Sequence, residues 1–299
     1  MMITRLLNKN SFCANVYLEV RNLFNLSCIA NEFRKYNTIV LNDRKAGFFS
    51  IFFQTLAAIN VCKWNKQNLK LNYTKGPYYD PQENTSSWWE NYYSQFEFDF
   101  STTRGHDSKI RYVEDYEMMR RLAYAGTEMN KLRANKLMQL CVLKYDIQEE
   151  INQYECLNFK GKKTIGIHYR GTDKVSGGNP ELERVPYEYV FQLMSKYESN
   201  ADNFFIATDE EDFLNECSSR FSNKTLFTQS IRSKNNLCVH LGNSTDSPCR
   251  LGRQALIDSI LLSKCNYLLR CDSNLSLASL FFNCNLKSIN MTEKYLKSI

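Results

Sequence analysis

Short runs of consecutive apolar residues alternate with helical patterns through the second half of this chain. Strands are predicted over residues 164–169, 203–208, 224–228, 266–270 and 287–290, and helices over 186–198, 210–221, 253–264 and 275–282. An unbroken apolar run is typical of a strand that is buried on both faces, and strands that alternate with helices form parallel sheets. The pattern therefore predicts a doubly wound α/β domain in this half.

The first half begins with the same alternation and then becomes irregular. Its apolar pattern predicts one βαβ unit, made of a strand, a helix and a strand over residues 38–41, 49–64 and 69–73. Residues 76–111, rich in Tyr and Trp, are predicted to be long loops, and helical sequence follows over 113–154. The polar break at 158–163 marks the expected boundary between an N-terminal domain, 1–160, and a C-terminal domain, 161–299.

Composition and charge place the chain among globular proteins. It has 299 residues, of which 43% are hydrophobic and 23% charged, enough apolar sequence to build two domains with sizeable cores. The net charge of +6 is spread along the chain, without a Lys/Arg block, a zinc-finger spacing or an RNA-binding aromatic motif. No nucleic-acid partner is therefore predicted, and an anionic small ligand accounts for the charge equally well.

Cysteine usage and the N-terminal sequence indicate the compartment. The eleven cysteines form no CxxC pair and have no His at metal-binding spacing, so they are predicted to be reduced core residues. The alternative is a disulfide within the cluster Cys249, Cys265, Cys271 and Cys284. Neither a signal-peptide h-region nor a run near the roughly 18 apolar residues of a membrane span occurs. We expect a cytoplasmic protein of bacterial or viral type, without a signal peptide, membrane anchor or transmembrane segment.

The segment with the clearest chemistry is residues 164–174, an apolar strand pattern that ends in a polar cluster. Ligands of open α/β sheets bind beyond the carboxyl ends of the strands, so the cluster is predicted to line a cleft with His168, Arg170, Asp173 and Lys174. The side-chain period of two places His168 and Arg170 on one side, where an arginine fork can hold a phosphate and the histidine a second group. This pairing predicts a diphosphate ligand. The alternative is a surface ion pair of Asp173 with Lys174 or Arg170.

Two further segments repeat this strand-end context. Residues 206–210 read Ile-Ala-Thr-Asp-Glu, and residues 256–276 run from a helix through a strand into Asp-Ser-Asn. With residues 168–174, these segments resemble the three ordered motifs of the GDP-fucose-dependent fucosyltransferase superfamily. That superfamily contains the α1,6-fucosyltransferases, the rhizobial chitooligosaccharide fucosyltransferase and the protein O-fucosyltransferases. The resemblance covers most of the C-terminal half; in the N-terminal half it is limited to Gly47-Phe-Phe-Ser before a helix.

The resemblance implies a fold and a reaction. The fold is α/β and GT-B-like, with two Rossmann-like βα domains and a cleft between them, the N-terminal domain on the acceptor side and the C-terminal domain binding the nucleotide sugar. The reaction is an inverting, metal-independent transfer of L-fucose from GDP-fucose to a hydroxyl of a glycan or glycoconjugate acceptor. GDP-fucose is then a donor substrate, no cofactor is expected, and no Asp-x-Asp pair for a metal diphosphate occurs.

Three alternatives share parts of this description. A dehydrogenase could have two such domains, but no GxGxxG follows any predicted strand. A transferase could use another GDP-hexose on the same scaffold. A non-catalytic sugar-nucleotide-binding protein could keep the fold without the reaction. Release of GDP from the donor without acceptor separates a transferase from a binding protein.

The resemblance also assigns donor-binding roles. Arg170 stands where the family has an arginine that binds the β-phosphate and neutralises the departing GDP, which makes it the first catalytic candidate. His168 and Asp258 match residues that read guanine. Ser273 and Asn274 match the phosphate-contacting segment that opens a helix.

Two of these residues have purely structural alternatives. Asp258 could form an ion pair with Arg253 or Lys264 on its own helix. Ser273 could be a simple helix N-cap, a role that is compatible with phosphate binding.

The general base is expected in the loop that precedes residue 186. The family places a glutamate between the arginine motif and the next helix; counting back from Pro186 selects Glu181, with Glu183 as the alternative. Asp209 matches the acid of the second motif and is expected to orient the site, not to act as a base. The sequence differs from the α1,6 pattern at Gly171, where that subfamily has a second arginine.

The aromatic loop of the first half offers further candidates. Its aromatic cluster is predicted to pack in the core, with stacking against an acceptor sugar as the alternative, and consists of Trp88, Trp89, Tyr92 and Tyr93. If neither glutamate is the base, the carboxylates of this loop are the next candidates, namely Asp80, Glu83 and Glu90.

Overall fold

The computed structural model describes residues 12–101, 109–171, 184–233 and 247–298, with the backbone only of residues 12–14. The chain forms two compact units, Met1–Val142 and Leu143–Ile299. The sequence analysis placed the boundary at residue 160, whereas the structure divides earlier. The reason is the helix over Tyr145–Asn158, which joins the second unit through ion pairs of Asp146 and Glu150 with Arg253.

The first unit contains a four-stranded sheet. Its helices are α1 (Phe12–Phe33), α2 (Phe48–Asn65), α3 (Tyr116–Thr127) and α4 (Lys131–Met138), and its strands are β1 (Thr38–Asn42), β2 (Asn68–Asn72), β3 (Glu97–Asp99) and β4 (Ile110–Val113). The strand order is β3-β2-β1-β4. Strand β1 is parallel to β2 and β4, and β3 pairs with β2 in the antiparallel direction.

Helix α2 is central to this unit. Its sequence is apolar on every side, a pattern that predicts complete burial, and every residue from Phe48 to Cys62 except Ser50 is buried. Helix α3 packs closely against it. The two backbones approach so closely that a Cβ atom at Gly126 would lie 2.1 Å from the carbonyl oxygen of Phe53. The α2–α3 contact therefore depends on a glycine.

The second unit contains a five-stranded sheet in which all neighbouring strands are parallel. Its helices are α5 (Tyr145–Asn158), α6 (Tyr187–Glu198), α7 (Glu211–Arg220), α8 (Pro248–Lys264), α9 (Asn274–Phe282) and α10 (Met291–Leu296), and its strands are β5 (Thr164–Tyr169), β6 (Asn203–Thr208), β7 (Thr225–Leu226), β8 (Tyr267–Arg270) and β9 (Ser288–Asn290). The strand order is β7-β6-β5-β8-β9. Every residue of β5 and β6 is buried, as their unbroken apolar runs predict.

Both sheets contain a point at which the strand order reverses. In the first, the chain passes from β1 to β2 on one side and returns to β4 on the other side of β1. In the second, β6 and β7 lie on one side of β5, and β8 and β9 lie on the other. Ligands of open α/β sheets bind at the carboxyl ends of the strands beside such a switch point.

The predicted α/β class with two Rossmann-like units is confirmed. Each strand and helix predicted in the second half is present, although α8 begins at Pro248, before the predicted residue 253. Helices α1 and α10 and the strands β3 and β4 were not predicted. The apolar residues Val20 and Phe24 of α1 are 59% and 68% exposed, so they obscure its periodicity, and β3 and β4 have only three and four residues.

The structure also bears on the cysteines and on membrane-spanning helices. The cysteines of the C-terminal cluster are free thiols, so the alternative of a disulfide there is wrong. Within the described ranges, no helix combines the length and the apolar character needed to cross a lipid bilayer.

Candidate active site at the β5–β8 edge

Strand β5 carries the first predicted site residues to the carboxyl edge of the second sheet. Side chains alternate along a strand, so Tyr169 faces the apolar core, where its ring stacks on that of Phe213 with centroids 4.2 Å apart. His168 and Arg170 lie on the other side, and both line one cavity. The period of two predicts this placement.

His168 is buried, with 3% of its surface exposed. Burial, and then the positive charges of Arg170 and Arg270, lower the pKa of its imidazole to about 3, so the ring is uncharged at neutral pH. Its Nε2 atom lies 3.4 Å from Oγ of Ser273. Among the described residues, the buried Nδ1 atom has no hydrogen-bond partner. A neutral imidazole keeps one donor and one acceptor nitrogen, so it can take part in hydrogen bonds without carrying a charge.

Arg170 lies beside the carboxylate of Asp209. Its side chain is 15% exposed, and its Nε atom lies 3.9 Å from Oδ2 of Asp209. The other oxygen, Oδ1, accepts a hydrogen bond of 3.4 Å from the backbone N–H of Gly171. Asp209 follows β6, which pairs with β5, so one carboxylate joins two adjacent strand ends. The expected role of Asp209 in orienting the site stays a prediction.

Gly171 lies against a buried carboxylate that the sequence analysis did not assign to the site. A Cβ atom at this position would be 2.2 Å from Oε1 of Glu210. Arg184 holds that carboxylate with Nη2 3.1 Å from Oε1, and the hydroxyl of Tyr187 donates to Oε2. Burial raises the pKa of Glu210, while Tyr187 and Arg184 oppose the shift. Local packing therefore accounts for glycine at the position where the sequence departs from the α1,6 pattern.

Asp258 projects from α8 into the same region and is 5% exposed. Its Oδ1 accepts a 2.5 Å hydrogen bond from Thr228 Oγ1, and its Oδ2 accepts a 2.8 Å hydrogen bond from Ser230 Oγ. Burial raises the pKa of Asp258, and these two hydrogen bonds oppose the shift. The alternative of an ion pair on the helix surface is wrong, because Arg253 and Lys264 bind carboxylates of α5 instead.

The turn that binds Asp258 was missed by sequence reasoning. Arg232 donates from Nη2 to the carbonyl oxygen of Thr228 at 2.8 Å and from Nη1 to that of Ser230 at 2.9 Å. Gln254 Oε1 accepts a 3.0 Å hydrogen bond from the backbone N–H of Ile231. Gln254 and Asp258 are four residues apart on one helix face. That inward polar pair is the signal in the sequence that could have identified Gln254.

Ser273 is the N-cap of α9, as the structural interpretation predicts. Its Oγ accepts a 3.3 Å hydrogen bond from the backbone N–H of Ser276, and Asn274 is the first residue of the helix. The same Oγ lies beside His168, so the amino end of α9 is at the β5–β8 edge. Backbone N–H groups at a helix start favour anions. The contact of Ser273 and Asn274 with a phosphate stays a prediction.

A cavity of about 60 Å³ brings four of the predicted residues together, and its lining includes His168, Arg170, Asp209, Asp258, Ser230 and Gln254. This volume is below the roughly 300–1,000 Å³ of a typical ligand pocket, so the cavity could enclose only part of a ligand. Two larger depressions of the same unit, about 480 and 820 Å³, contain none of the predicted site residues. The small cavity lies at the switch point, which favours it as the ligand site.

Four predicted positions lie outside the described residues, namely Asp173, Lys174, Glu181 and Glu183. The base assignment and the alternative ion pair of Asp173 therefore stay predictions. Within the described part of the chain, no three His, Cys, Asp or Glu side chains come close enough together to hold a metal ion.

The aromatic cluster of the first unit is part of its core. Trp88, Trp89, Tyr92 and Tyr93 are at most 1% exposed, and the rings of Trp89 and Tyr93 stack with centroids 4.4 Å apart. Trp88 Nε1 donates a 2.7 Å hydrogen bond to Oδ2 of the buried Asp43. The prediction of core packing is confirmed, and the alternative of stacking against a sugar is wrong for these four rings.

Comparison with known proteins finds solved structures with a similar fold, although their sequences share little identity with this chain. No family model matches the chain, and no curated protein matches it. NodZ α-1,6-fucosyltransferase co-crystallised with GDP matches with a TM-score of 0.55 at 14% identity, over 86% of this chain and 95% of that one. NodZ soaked with GDP-fucose matches with a TM-score of 0.54 at 12% identity, over 83% and 93%.

A third structure, fucosyltransferase NodZ from Bradyrhizobium, has a TM-score of 0.57 at 12% identity and covers 86% of this chain and 94% of its own. Likeness at this level of identity establishes the fold. The GT-B-like α/β fold that the three motifs implied is therefore confirmed.

Proposed function

We propose that this protein is a glycosyltransferase that moves L-fucose from GDP-fucose to a hydroxyl of a glycan or glycoconjugate. One observation carries the proposal. His168, Arg170, Asp209 and Asp258 meet in a cavity at the switch point of a parallel sheet. The fold around them is that of NodZ structures co-crystallised with GDP or soaked with GDP-fucose.

Arg170 would stabilise the departing GDP. Cleavage of the bond between sugar and phosphate builds negative charge on the β-phosphate while the sugar becomes oxocarbenium-like. A guanidinium that lies beside Asp209 at this strand end would meet that charge, so its effect would be larger in the transition state than in the ground state. Ser273, Asn274 and the first N–H groups of α9 would bind the phosphates from the adjacent strand end.

Asp258 and His168 would read the guanine. A carboxylate has about four acceptor sites, and Thr228 and Ser230 use one on each oxygen of Asp258. The remaining lone pairs can accept from N1 and N2 of guanine, which adenine cannot offer in the same way. Thr228 and Ser230 thus fix the direction of Asp258 and leave it able to bind the base.

The remaining steps extend the proposal to residues outside the described ranges. Glu181 would remove the proton from the acceptor hydroxyl, with Glu183 as the alternative, and a single in-line displacement would invert the anomeric centre. Arg170 supplies the positive charge at the phosphate, so we propose that the reaction needs no metal ion. A cytoplasmic location also stays a prediction.

GDP release from a panel of sugar nucleotides tests this function. We expect the native protein to release GDP slowly from GDP-fucose without acceptor, faster with a suitable glycan, and equally with EDTA. Arg170→Ala should retain less than about a tenth of the rate, because it removes a charge needed mainly in the transition state. Arg220→Ala is the matched control, since that side chain is 44% exposed and pairs with Glu188.

Three results would argue against parts of the proposal. Preference for another GDP-hexose would favour the alternative donor, and no release from any GDP-sugar would favour a non-catalytic binding protein. Strict dependence on added manganese or magnesium would contradict the metal-independent mechanism. Full activity of Arg170→Ala would remove Arg170 from the centre of catalysis.

A further inference from the structure

A row of polar side chains crosses three strand ends in the first unit. Asn72 Nδ2 donates a 2.6 Å hydrogen bond to Oδ1 of Asn42, and Asn42 Nδ2 donates a 3.2 Å hydrogen bond to Oε1 of Glu114. Asn42 and Asn72 are register partners at the ends of β1 and β2, and Glu114 directly follows β4. The amide row, Asn42, Asn72 and Glu114, therefore lies along the carboxyl edge and spans the switch point between β1 and β4.

The centre of the amide row is held in place from below by α2. The carbonyl oxygen of Asn42 accepts a 2.8 Å hydrogen bond from Nε2 of Gln54, which is fully buried. Gln54 Oε1 accepts in turn from Nε of Arg44 at 3.2 Å, and Arg44 Nη2 donates to Oγ of Ser50 at 2.6 Å. The loop after β1 and the first turns of α2 thus form a fixed support for the row.

The outer ends of the amide row remain open for hydrogen bonding. Asn72 and Glu114 are exposed, and Asn42 is half-buried. Among the described residues, Oδ1 of Asn72 and Oε2 of Glu114 make no hydrogen bond. Hydrogen bonds between exposed side chains add little stability, because water competes for the same groups. The alignment of three such groups is better explained by a ligand that binds them together.

An exposed aromatic ring contacts Arg44, a residue of the support beneath the amide row. Tyr116 lies two residues beyond Glu114 and is 61% exposed. The guanidinium of Arg44 lies 6.0 Å from the centroid of its ring, which ties the ring to the same support. An exposed ring offers an apolar face near this support.

We infer that the amide row and Tyr116 form a binding site for a neutral sugar residue of the acceptor glycan. A pyranose carries neighbouring hydroxyls, each of which both donates and accepts, and its C–H face is apolar. Amide and carboxylate groups with open donors and acceptors match the hydroxyls, while the ring of Tyr116 matches the C–H face. Glu114 would repel an anionic ligand. The inference rests on the proposed function, because fucosyl transfer requires the protein to bind a glycan acceptor.

Saturation-transfer NMR on the full chain tests this site. The probes are chitotetraose, cellotetraose and mannotetraose, with tetraethylene glycol as a control that lacks the hydroxyl pattern. We expect a saturation-transfer signal, which reports binding, from at least one tetrasaccharide and no such signal from tetraethylene glycol. Asn72→Ala and Tyr116→Ala should each weaken that binding by about tenfold, the effect expected when one polar or stacking contact is lost.

Asn68→Ala is the matched control, because Asn68 lies at the opposite end of β2, in register with Thr38. Thermal melting confirms that each variant is folded. Equal binding by Asn72→Ala, Tyr116→Ala and Asn68→Ala would overturn the inference, and so would the absence of binding to every tetrasaccharide. GDP release from GDP-fucose by the native protein tests the proposed function separately. Sugar binding without GDP release would keep this site and reject fucosyl transfer, and the reverse would reject the site alone.

Discussion

At the scale of single residues, Gly171 and Glu210 fill one space between them. A Cβ atom at position 171 would meet Oε1 of Glu210, and a shift of Glu210 would have to break its contacts with Arg184 and Tyr187. We predict that Gly171→Ala lowers the free energy of unfolding by roughly 1–3 kcal/mol, as overpacking does. The same change should slow transfer, since Arg170 precedes Gly171. Urea unfolding and GDP release measure the two effects.

A double variant tests the cause of that loss. Glu210→Ala removes the obstacle and leaves Arg184 without its carboxylate, so it is destabilising alone. If Glu210 is the obstacle, the double variant Gly171→Ala/Glu210→Ala should cost less than the sum of the single variants. Additive costs would mean that another contact excludes a side chain at position 171.

The preference for guanine over adenine is predicted to depend on Asp258. We expect Asp258→Ala to weaken GDP binding by about 1 to 3 kcal/mol, since it removes a buried acceptor and leaves Thr228 and Ser230 without their partner. Calorimetric titration with GDP measures the change, and Asp212→Ala, at an exposed position of α7, is the matched control. Equal affinity of the native protein for ADP and GDP would contradict guanine readout.

The identity of the general base is tested by two isosteric substitutions in one loop. Glu181→Gln keeps size and hydrogen bonding but cannot accept the acceptor proton, so it should lower the transfer rate by roughly 10²–10⁴ with little change in GDP affinity. Glu183→Gln should cost much less. If Glu183→Gln is the inactive variant, the assignment within the loop is reversed. If both variants transfer at the native rate, Asp80, Glu83 and Glu90 become the candidates.

At the scale of elements, the contact between α2 and α3 determines the packing of the first unit. Gly126 allows the two helix backbones to touch at Phe53, where a Cβ atom would lie 2.1 Å from the carbonyl oxygen. Since a backbone atom cannot rotate away, Gly126→Ala should destabilise the protein by roughly 1–3 kcal/mol. Gly47→Ala is the matched control, because a Cβ atom there has no neighbour within 4 Å. Equal melting temperatures of the two variants would refute the close contact.

At the scale of the whole molecule, His168 makes stability depend on pH. Its folded pKa of about 3 is below the value of about 6.5 in an unfolded chain, so the unfolded state binds the proton more readily. His168 does not lower the free energy of unfolding above about pH 6.5, where it is neutral in both states. As the pH falls from about 6.5 toward 3, the unfolded state binds the proton first and the free energy of unfolding decreases. By about pH 4.5 the loss should reach roughly 2–3 kcal/mol.

Comparison with His168→Gln isolates this effect. The variant does not titrate, so its free energy of unfolding should decline less than that of the native protein between about pH 6.5 and 4.5. The difference between the two curves is the useful quantity, because the raised pKa values of Asp258 and Glu210 act in the opposite direction. Parallel curves would show that His168 is not held neutral by the fold.

Features that depend on local order along the chain could be predicted from the amino-acid sequence. Apolar runs such as residues 203–208 predict buried strands because burial on both faces requires continuous apolar side chains. The period of two placed His168 and Arg170 together, and the position of Ser273 before a helical pattern predicted its N-cap. The three motifs at strand ends were sufficient to indicate the fold.

Contacts between residues far apart in the chain could not be predicted in this way and became visible in the folded protein. Asp258 binds Thr228 and Ser230 instead of a neighbour on its helix, because the turn after β7 closes over α8. The amide row joins side chains from three strands, and it exists only because the register of β1, β2 and β4 aligns their ends. Such contacts depend on strand order and register across long separations in the chain, which local hydrophobic periodicity does not encode.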